Sequence, residues 1–151
     1  MGIINIVKTV KEIHREDIVL VKIGKFYHVY GKDAYIISYL FQYKLKEIEN
    51  VFMCGFPIQS ISKIMAELET KKINYLILDR RNNYDVDEVS SNKNLNQYSK
   101  YLEKSKSYIK YRNRIDNIYK FMLDNIQKEE MKNIIKQMEE IINERRKIQT
   151  N

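Results

Sequence analysis

The stretch "DIVLVKIGKFYHVYGKDAYI", residues 17–36, decides the fold, because two strands and a helix start follow one another within it. Its β-branched apolar run, residues 17–23, predicts a buried strand. Gly24 and Lys25 predict a two-residue turn, so the aromatic run "FYHVY", residues 26–30, returns as a second strand. The sequence therefore predicts a β-hairpin whose return strand begins with an aromatic side chain.

The segments around this hairpin alternate between helix and strand patterns. Asp33 lies where a carboxylate stabilises a helix N-terminus, and we expect this helix to end near Phe41. Upstream, the apolar spacing of residues 4–13 predicts a short amphipathic helix. Downstream, residues 44–55 predict two strands joined by a turn at residues 49–50.

A second helix and a further strand follow. Residues 56–60 have the composition of a connector, and Ser60 is placed to cap a helix that runs to about Lys72. The apolar run 73–79 predicts another buried strand. Strands that alternate with helices favour a partly parallel or mixed sheet.

The C-terminal part has a different pattern. Residues 80–94 are polar and rich in turn-forming residues, which is typical of a linker. Beyond them the chain has no glycine or proline, and apolar spacing predicts one helix from Leu95 to Ile126 and a second through Ile148. The break is expected at residues 127–129. Two such helices favour a helical hairpin or a coiled coil.

These elements predict an α/β protein: a small mixed sheet flanked by helices, followed by a C-terminal α-helical hairpin. We expect an α/β module over residues 1–80, a linker over 81–94 and a helical appendage over 95–149.

Charge is concentrated in the C-terminal part. The net charge is +7, yet residues 1–90 carry 13 Lys and Arg against 12 Asp and Glu, whereas residues 91–151 carry 14 against 8. This asymmetry favours an acidic partner such as nucleic acid, with a solvated lysine-rich helix face as the alternative. A single cysteine, Cys54, excludes an internal disulfide, and no apolar run approaches the roughly 20 residues of a membrane span. We expect a cytoplasmic protein that does not enter the membrane.

Two blocks of sequence resemble the N-terminal mismatch-recognition domain of MutS-type DNA mismatch repair proteins. They are "DIVLVKIGKFYHVYGKDAYI", residues 17–36, and "MCGFPIQSISKIMAELETKKINYLIL", residues 53–78. Their order and spacing are those of the family, and the resemblance covers roughly residues 1–80. It implies a sheet flanked by helices and binding to mismatched DNA.

The resemblance implies roles for individual residues of the hairpin. In the family, a phenylalanine inserts into the minor groove and stacks at a mismatched base, while a glutamate two residues later hydrogen-bonds that base. Phe26 matches the phenylalanine, whereas His28 stands where the family has glutamate. An imidazole donates or accepts hydrogen bonds without repelling phosphate, so we expect tighter but less discriminating binding. Lys25 also favours phosphate contact. From the residues alone, a core aromatic is the favoured explanation of Phe26, and the resemblance reverses that preference.

A basic arc on the first C-terminal helix is the second candidate site. At about 100° per residue, five basic side chains share one side of the helix. They are Lys100, Lys104, Lys106, Lys110 and Arg114. We interpret this arc as a contact for the phosphate backbone, with a solvated face of a dimerising helix as the alternative.

The sequence contains no signature of catalysis. It has four glycines and no G-x-x-x-x-G-K-[S/T] phosphate loop, and no paired Cys and His spacing for a metal. We therefore expect a non-enzyme without cofactors that binds DNA or RNA. Homo-oligomerisation or a protein partner is expected through the C-terminal helices. The alternative is an accessory adaptor of a reverse transcriptase or retroelement complex that binds protein, RNA or both, and a third interpretation is a decayed fragment of a repair gene.

Overall fold

A computed structural model describes residues 2–90 and 95–150 of the chain, with side chains as far as residue 147. Its helices are α1 (Ile3–Ile13), α2 (Lys32–Phe41), α3 (Ile61–Thr70), α4 (Tyr98–Asp124) and α5 (Glu129–Thr150). Its strands are β1 (Ile18–Ile23), β2 (Phe26–Tyr30), β3 (Lys46–Ile48), β4 (Val51–Pro57), β5 (Tyr75–Asp79) and β6 (Val86–Val89). Single 3-10 turns precede α3 and follow β5.

The strands form one mixed sheet in the order β3-β4-β2-β1-β5-β6. β1 and β5 are parallel, and the remaining neighbours are antiparallel. Helices flank this sheet, and α4 and α5 follow it as the C-terminal helical hairpin. The predicted fold class is confirmed.

Two turns set the register of the antiparallel part of the sheet. Ile23 pairs with Phe26 across a two-residue loop, in which Gly24 has a φ of +60°. Positive φ at the first loop position alone is the pattern of a type II′ turn, which favours glycine there. Between β3 and β4, Glu49 and Asn50 both have positive φ, the pattern of a type I′ turn. Both predicted hairpins are present.

The sheet separates two apolar clusters. One face packs against α2, α3 and the start of α4, with Phe56, Tyr75 and Leu68 at its centre. The other face packs against α1, where Val7 meets Val19 and neighbouring side chains of β1, β4 and β5. Cys54 is buried in the first cluster, and burial raises its pKa to about 12.

The carboxylate of Asp33 joins four elements inside this core. Its side chain is 1% exposed. One oxygen accepts the backbone N–H of Val19 in β1 at 3.0 Å, while the other accepts the Tyr98 hydroxyl of α4 at 2.6 Å and the Lys11 ammonium of α1 at 2.9 Å. Burial raises the pKa of this carboxyl above its ordinary value, and the three donors oppose that shift.

Three local predictions were wrong. Ser60 makes no side-chain cap, because it ends a 3-10 turn with φ −86° and ψ −5° rather than the extended backbone of an N-cap. β4 extends through Pro57 into the expected connector. Residues 86–89 of the expected linker form β6, an exposed strand without the apolar run that sequence reasoning requires. Residues 91–94 of that linker lie outside the described residues.

The chain divides into two compact units, residues 1–109 and 110–151. The first unit includes the start of α4, where Tyr98 is 4% exposed. The domain boundaries expected at residues 80 and 95 stay a prediction. Within the described parts of the chain, no helix combines the length and the hydropathy that crossing a bilayer requires.

Replacing Asp33 by alanine is expected to lower the free energy of unfolding by about 3 kcal/mol, because a buried amide, a hydroxyl and an ammonium lose their common acceptor. Urea denaturation followed by circular dichroism measures this change. Asp87→Ala, an exposed carboxylate on β6, is the matched control and is expected to stay within about 0.5 kcal/mol of the wild type. Equal effects of the two substitutions would contradict a special role for Asp33.

Candidate nucleic-acid interface

Phe26 lies at the tip of the β1–β2 hairpin, not in the core. It is the first residue of β2, and it faces Ile23 of β1 and Pro57 of β4 across the sheet. Its side chain is 51% exposed. The interpretation of Phe26 as a core aromatic is therefore wrong, whereas the next residue, Tyr27, is buried and stacks on the Phe56 ring.

The backbone that carries Phe26 is held on both sides. Gly24 closes the type II′ turn, and the carbonyl of Lys25 accepts the N–H of Ile58 at 3.0 Å. This bond ties the tip of the hairpin to the 3-10 turn that precedes α3. The exposed ring therefore projects from a fixed backbone rather than from a free loop.

His28 lies on the same side of β2 as Phe26, because alternate side chains of a strand share a face. The imidazole is partly buried, and its Nδ1 lies 3.3 Å from the Tyr30 hydroxyl. Gly55 lies opposite on β4, where an added Cβ would approach Cδ2 of the imidazole to 3.4 Å. Within the described residues, Nε2 makes no hydrogen bond, so it is available to a base or phosphate.

The electrostatic surroundings of His28 favour the neutral imidazole. Burial lowers the pKa of His28 below 6.5, and the positive charge of Lys46 on β3 lowers it further. A neutral ring both donates and accepts a hydrogen bond, which suits contact with the edge of a base.

Two arginines that the sequence reasoning missed lie at the same end of the strands as the turn of the β1–β2 hairpin. β1 and β5 are parallel, with Lys22 paired to Asp79, so Arg80 and Arg81 follow β5 where Gly24 follows β1. A cavity of about 250 Å³ is lined by residues of both strand ends and of the turns that follow them. These residues are Lys22, Gly24, Ile58, Asp79, Arg80 and Arg81.

Asp79 orders one of these arginines. Its carboxylate accepts the backbone N–H of Arg81 at 2.9 Å and the guanidinium of Arg81 at 3.4 Å. The backbone hydrogen bond and the guanidinium together lower the pKa of Asp79. In the sequence, the two arginines are visible only as "RR" directly after a predicted buried strand. Their position near the hairpin turn follows only once that strand is known to run parallel to β1.

The basic residues of α4 form separate groups. Lys100 and Lys104 lie 5.8 and 5.2 Å from the centre of the Tyr101 ring, and Lys71 lies 5.6 Å from the same centre. Lys106 forms an ion pair with Glu103 at 3.3 Å. In the second unit, Lys110 and Arg114 lie 6.0 and 5.2 Å from the centre of the Tyr111 ring.

The start of α4 lies at the other end of the strands from Phe26. Ser99 donates to the Glu16 carboxylate at 2.8 Å, and the Asn96 amide donates to the Glu16 carbonyl at 2.8 Å. Glu16 precedes β1, whereas the hairpin tip follows it. The hairpin tip and the cavity with Arg80 and Arg81 therefore lie at the same end of the strands, while Lys100 does not. Lys22 and Asp79 of that cavity share the Tyr27 face of the sheet, whereas Phe26 and His28 lie on the other face.

The imidazole of His28 is expected to titrate below pH 6.5, because its environment disfavours the charged form. The folded state then binds fewer protons than the unfolded chain, so this group reduces stability as pH falls through 6.5. NMR of the ring signals measures the midpoint, and Lys46→Met is expected to raise it. A midpoint at or above 6.5 would contradict this assignment.

A comparison with known protein families identifies the family of the chain. The MutS domain I family matches residues 1–104, more than half of the chain. The match includes the whole sheet and the start of α4 that carries Tyr98. No curated protein matches the sequence. On the extent of the family match, the chain belongs to the MutS domain I family.

Proposed function

We propose that this protein binds mismatched or distorted DNA without catalysis and that Phe26 acts as an aromatic wedge. The observation that supports this proposal most directly is the half-exposed ring of Phe26 on an anchored hairpin. Large aromatic side chains are usually buried, and this one projects from the tip of a hairpin at the end of the sheet. Membership of the MutS domain I family supports mismatch recognition as the general role.

The wedge acts by the difference in stacking between matched and mismatched bases. Inserting an apolar ring into the minor groove unstacks a base step and kinks the duplex. At a mismatch the stack is already weakened, so the insertion costs less free energy there. Contact between a base and an aromatic ring contributes roughly 1–3 kcal/mol.

Positive charge around the wedge supplies the affinity that does not depend on sequence. Lys25 precedes Phe26, and Lys22, Arg80 and Arg81 line a cavity at the same end of the strands, on the Tyr27 side of the sheet. Lysine and arginine side chains that contact phosphates release counterions, so binding is expected to weaken as salt rises. Lys100 and Lys104 of α4 provide a second basic group for a longer duplex or for RNA.

An accessory adaptor is the second candidate function. Many apolar side chains of the second unit are exposed, among them Ile134 and Ile141, which favours a protein contact there. An adaptor that holds a reverse transcriptase or its RNA template would depend on this surface and not on Phe26. Polar substitution of Ile134 and Ile141 would then abolish function, whereas Phe26→Ala would be silent.

Phe26→Ala is expected to weaken binding to a G·T duplex by about 5- to 150-fold, the equivalent of the stacking free energy of one base. Fluorescence anisotropy on matched duplex, G·T duplex and structured RNA, at two salt concentrations, measures this loss. Phe52→Ala removes another exposed phenylalanine, 40% exposed, and should leave binding unchanged. Equal affinity of wild type and Phe26→Ala for all three ligands would contradict the wedge and favour the adaptor.

His28→Glu is expected to weaken binding to matched duplex more than to G·T duplex, because a carboxylate repels phosphate but still accepts a hydrogen bond from a base. The ratio of the two affinities, measured by the same titration, should therefore rise. His28→Gln is the neutral control and should keep the wild-type ratio more closely. A lower ratio for His28→Glu would show that the histidine itself favours the mismatch.

A further inference from the structure

The second unit exposes more apolar surface than a helical pair leaves to solvent. Among its described residues, Met131 is the one apolar side chain that is fully buried. Large apolar side chains are exposed on both helices and at the turn between them. They are Tyr111, Ile115, Ile118, Tyr119, Phe121, Leu123, Ile126, Ile134, Ile141 and Ile142. Exposed apolar surface on this scale marks an interface.

On α5 the apolar side chains form a single seam. At about 100° per residue, six of them fall within about a third of the helix circumference. They are Met131, Ile134, Ile135, Met138, Ile141 and Ile142. The seam is open to solvent, since Ile134 is 40%, Ile141 is 60% and Ile142 is 45% exposed.

The seam is symmetric about Met138. The pair Ile134 and Ile135 lies three to four residues before it, and the pair Ile141 and Ile142 lies three to four residues after it. A second α5 that runs in the opposite direction therefore presents the same spacing of isoleucines. Such self-complementarity is what a two-fold symmetric interface requires.

Charged residues at the two ends of the seam favour one relative orientation of two α5 helices over the other. Arg145 follows Met138 by seven residues and so continues the seam, while Glu130 lies in the first turn, on the flank of the seam that carries Ile134 and Ile141. Within the described side chains, neither Glu130 nor Arg145 makes an ion pair, whereas Glu129 is paired with Lys132 at 3.2 Å. Two parallel helices would bring Arg145 against Arg145. Two antiparallel helices bring Arg145 of each copy against Glu130 of the other.

We propose that the second unit associates with a second copy of this chain through an antiparallel pair of α5 helices. Ile134 and Ile141 pack across the two-fold axis, and Glu130 and Arg145 form reciprocal ion pairs at its ends. Opposed helix dipoles favour the same orientation. This proposal does not depend on the proposed function of the first unit.

Sedimentation equilibrium of the full chain tests the association. Wild type is expected to dimerise, and Glu130→Arg and Arg145→Glu are each expected to raise the dissociation constant by about tenfold, because each places like charges together. The variant with both substitutions restores opposite charges and is expected to return to within about threefold of wild type. Lys136→Glu, on the side of α5 away from the seam, is the matched control.

Spin labels test the orientation. Burial and a pKa of about 12 make the thiol of Cys54 unreactive, so a label attaches to a single introduced cysteine. In an antiparallel pair, labels on Gln137→Cys lie close together, whereas labels on Glu129→Cys lie about 25 Å apart along the helices.

The proposal would be overturned if the wild type stayed monomeric at every concentration reached. It would also be overturned if neither charge reversal changed the dissociation constant, or if the label distances at the two positions were equal. Circular dichroism of every variant confirms that the helices are retained.

Discussion

The carboxylate of Asp33 is the interaction on which the first unit depends. The β1–β2 ladder ends at Val21 and His28, so the N–H of Val19 has no partner in β2. Asp33, at the start of α2, accepts that N–H and brings α1 and α4 to the same point through Lys11 and Tyr98. A buried carboxylate is unfavourable unless donors surround it, and here the donors come from three other elements. One carboxylate therefore pairs the N–H of β1 and at the same time holds α1 and α4 in position.

The two ends of β1 differ in how they are packed. At the amino end of β1, the Asp33 cluster and the bonds of Glu16 hold α4 against the module. At the carboxyl end, backbone hydrogen bonds hold the hairpin tip, and the Phe26 ring is half exposed.

The sequence predicted those elements whose signals are local. The β1–β2 hairpin follows from a β-branched run, a glycine turn and an aromatic run, and the helices follow from apolar spacing. β6 was missed because its four residues are two adjacent acids flanked by valines, and none of them is buried. The Ser60 cap failed because a 3-10 turn precedes the helix, which changes the backbone at that residue. Arg80 and Arg81 join the site only through the parallel pairing of β1 with β5, and the central role of Asp33 arises from partners up to 65 residues away in the sequence. Contacts of this kind are set by tertiary structure, so no local sequence pattern predicts them.

The two outer strands of the sheet have a consequence for how the protein meets other chains. β3 and β6 are three and four residues long, and each has two charged side chains. Short, charged outer strands are poor templates for an added strand, so they protect the sheet against fibril-like stacking and against capture of extended peptides. A second chain that contacted this sheet would therefore have to do so through side chains rather than through backbone pairing.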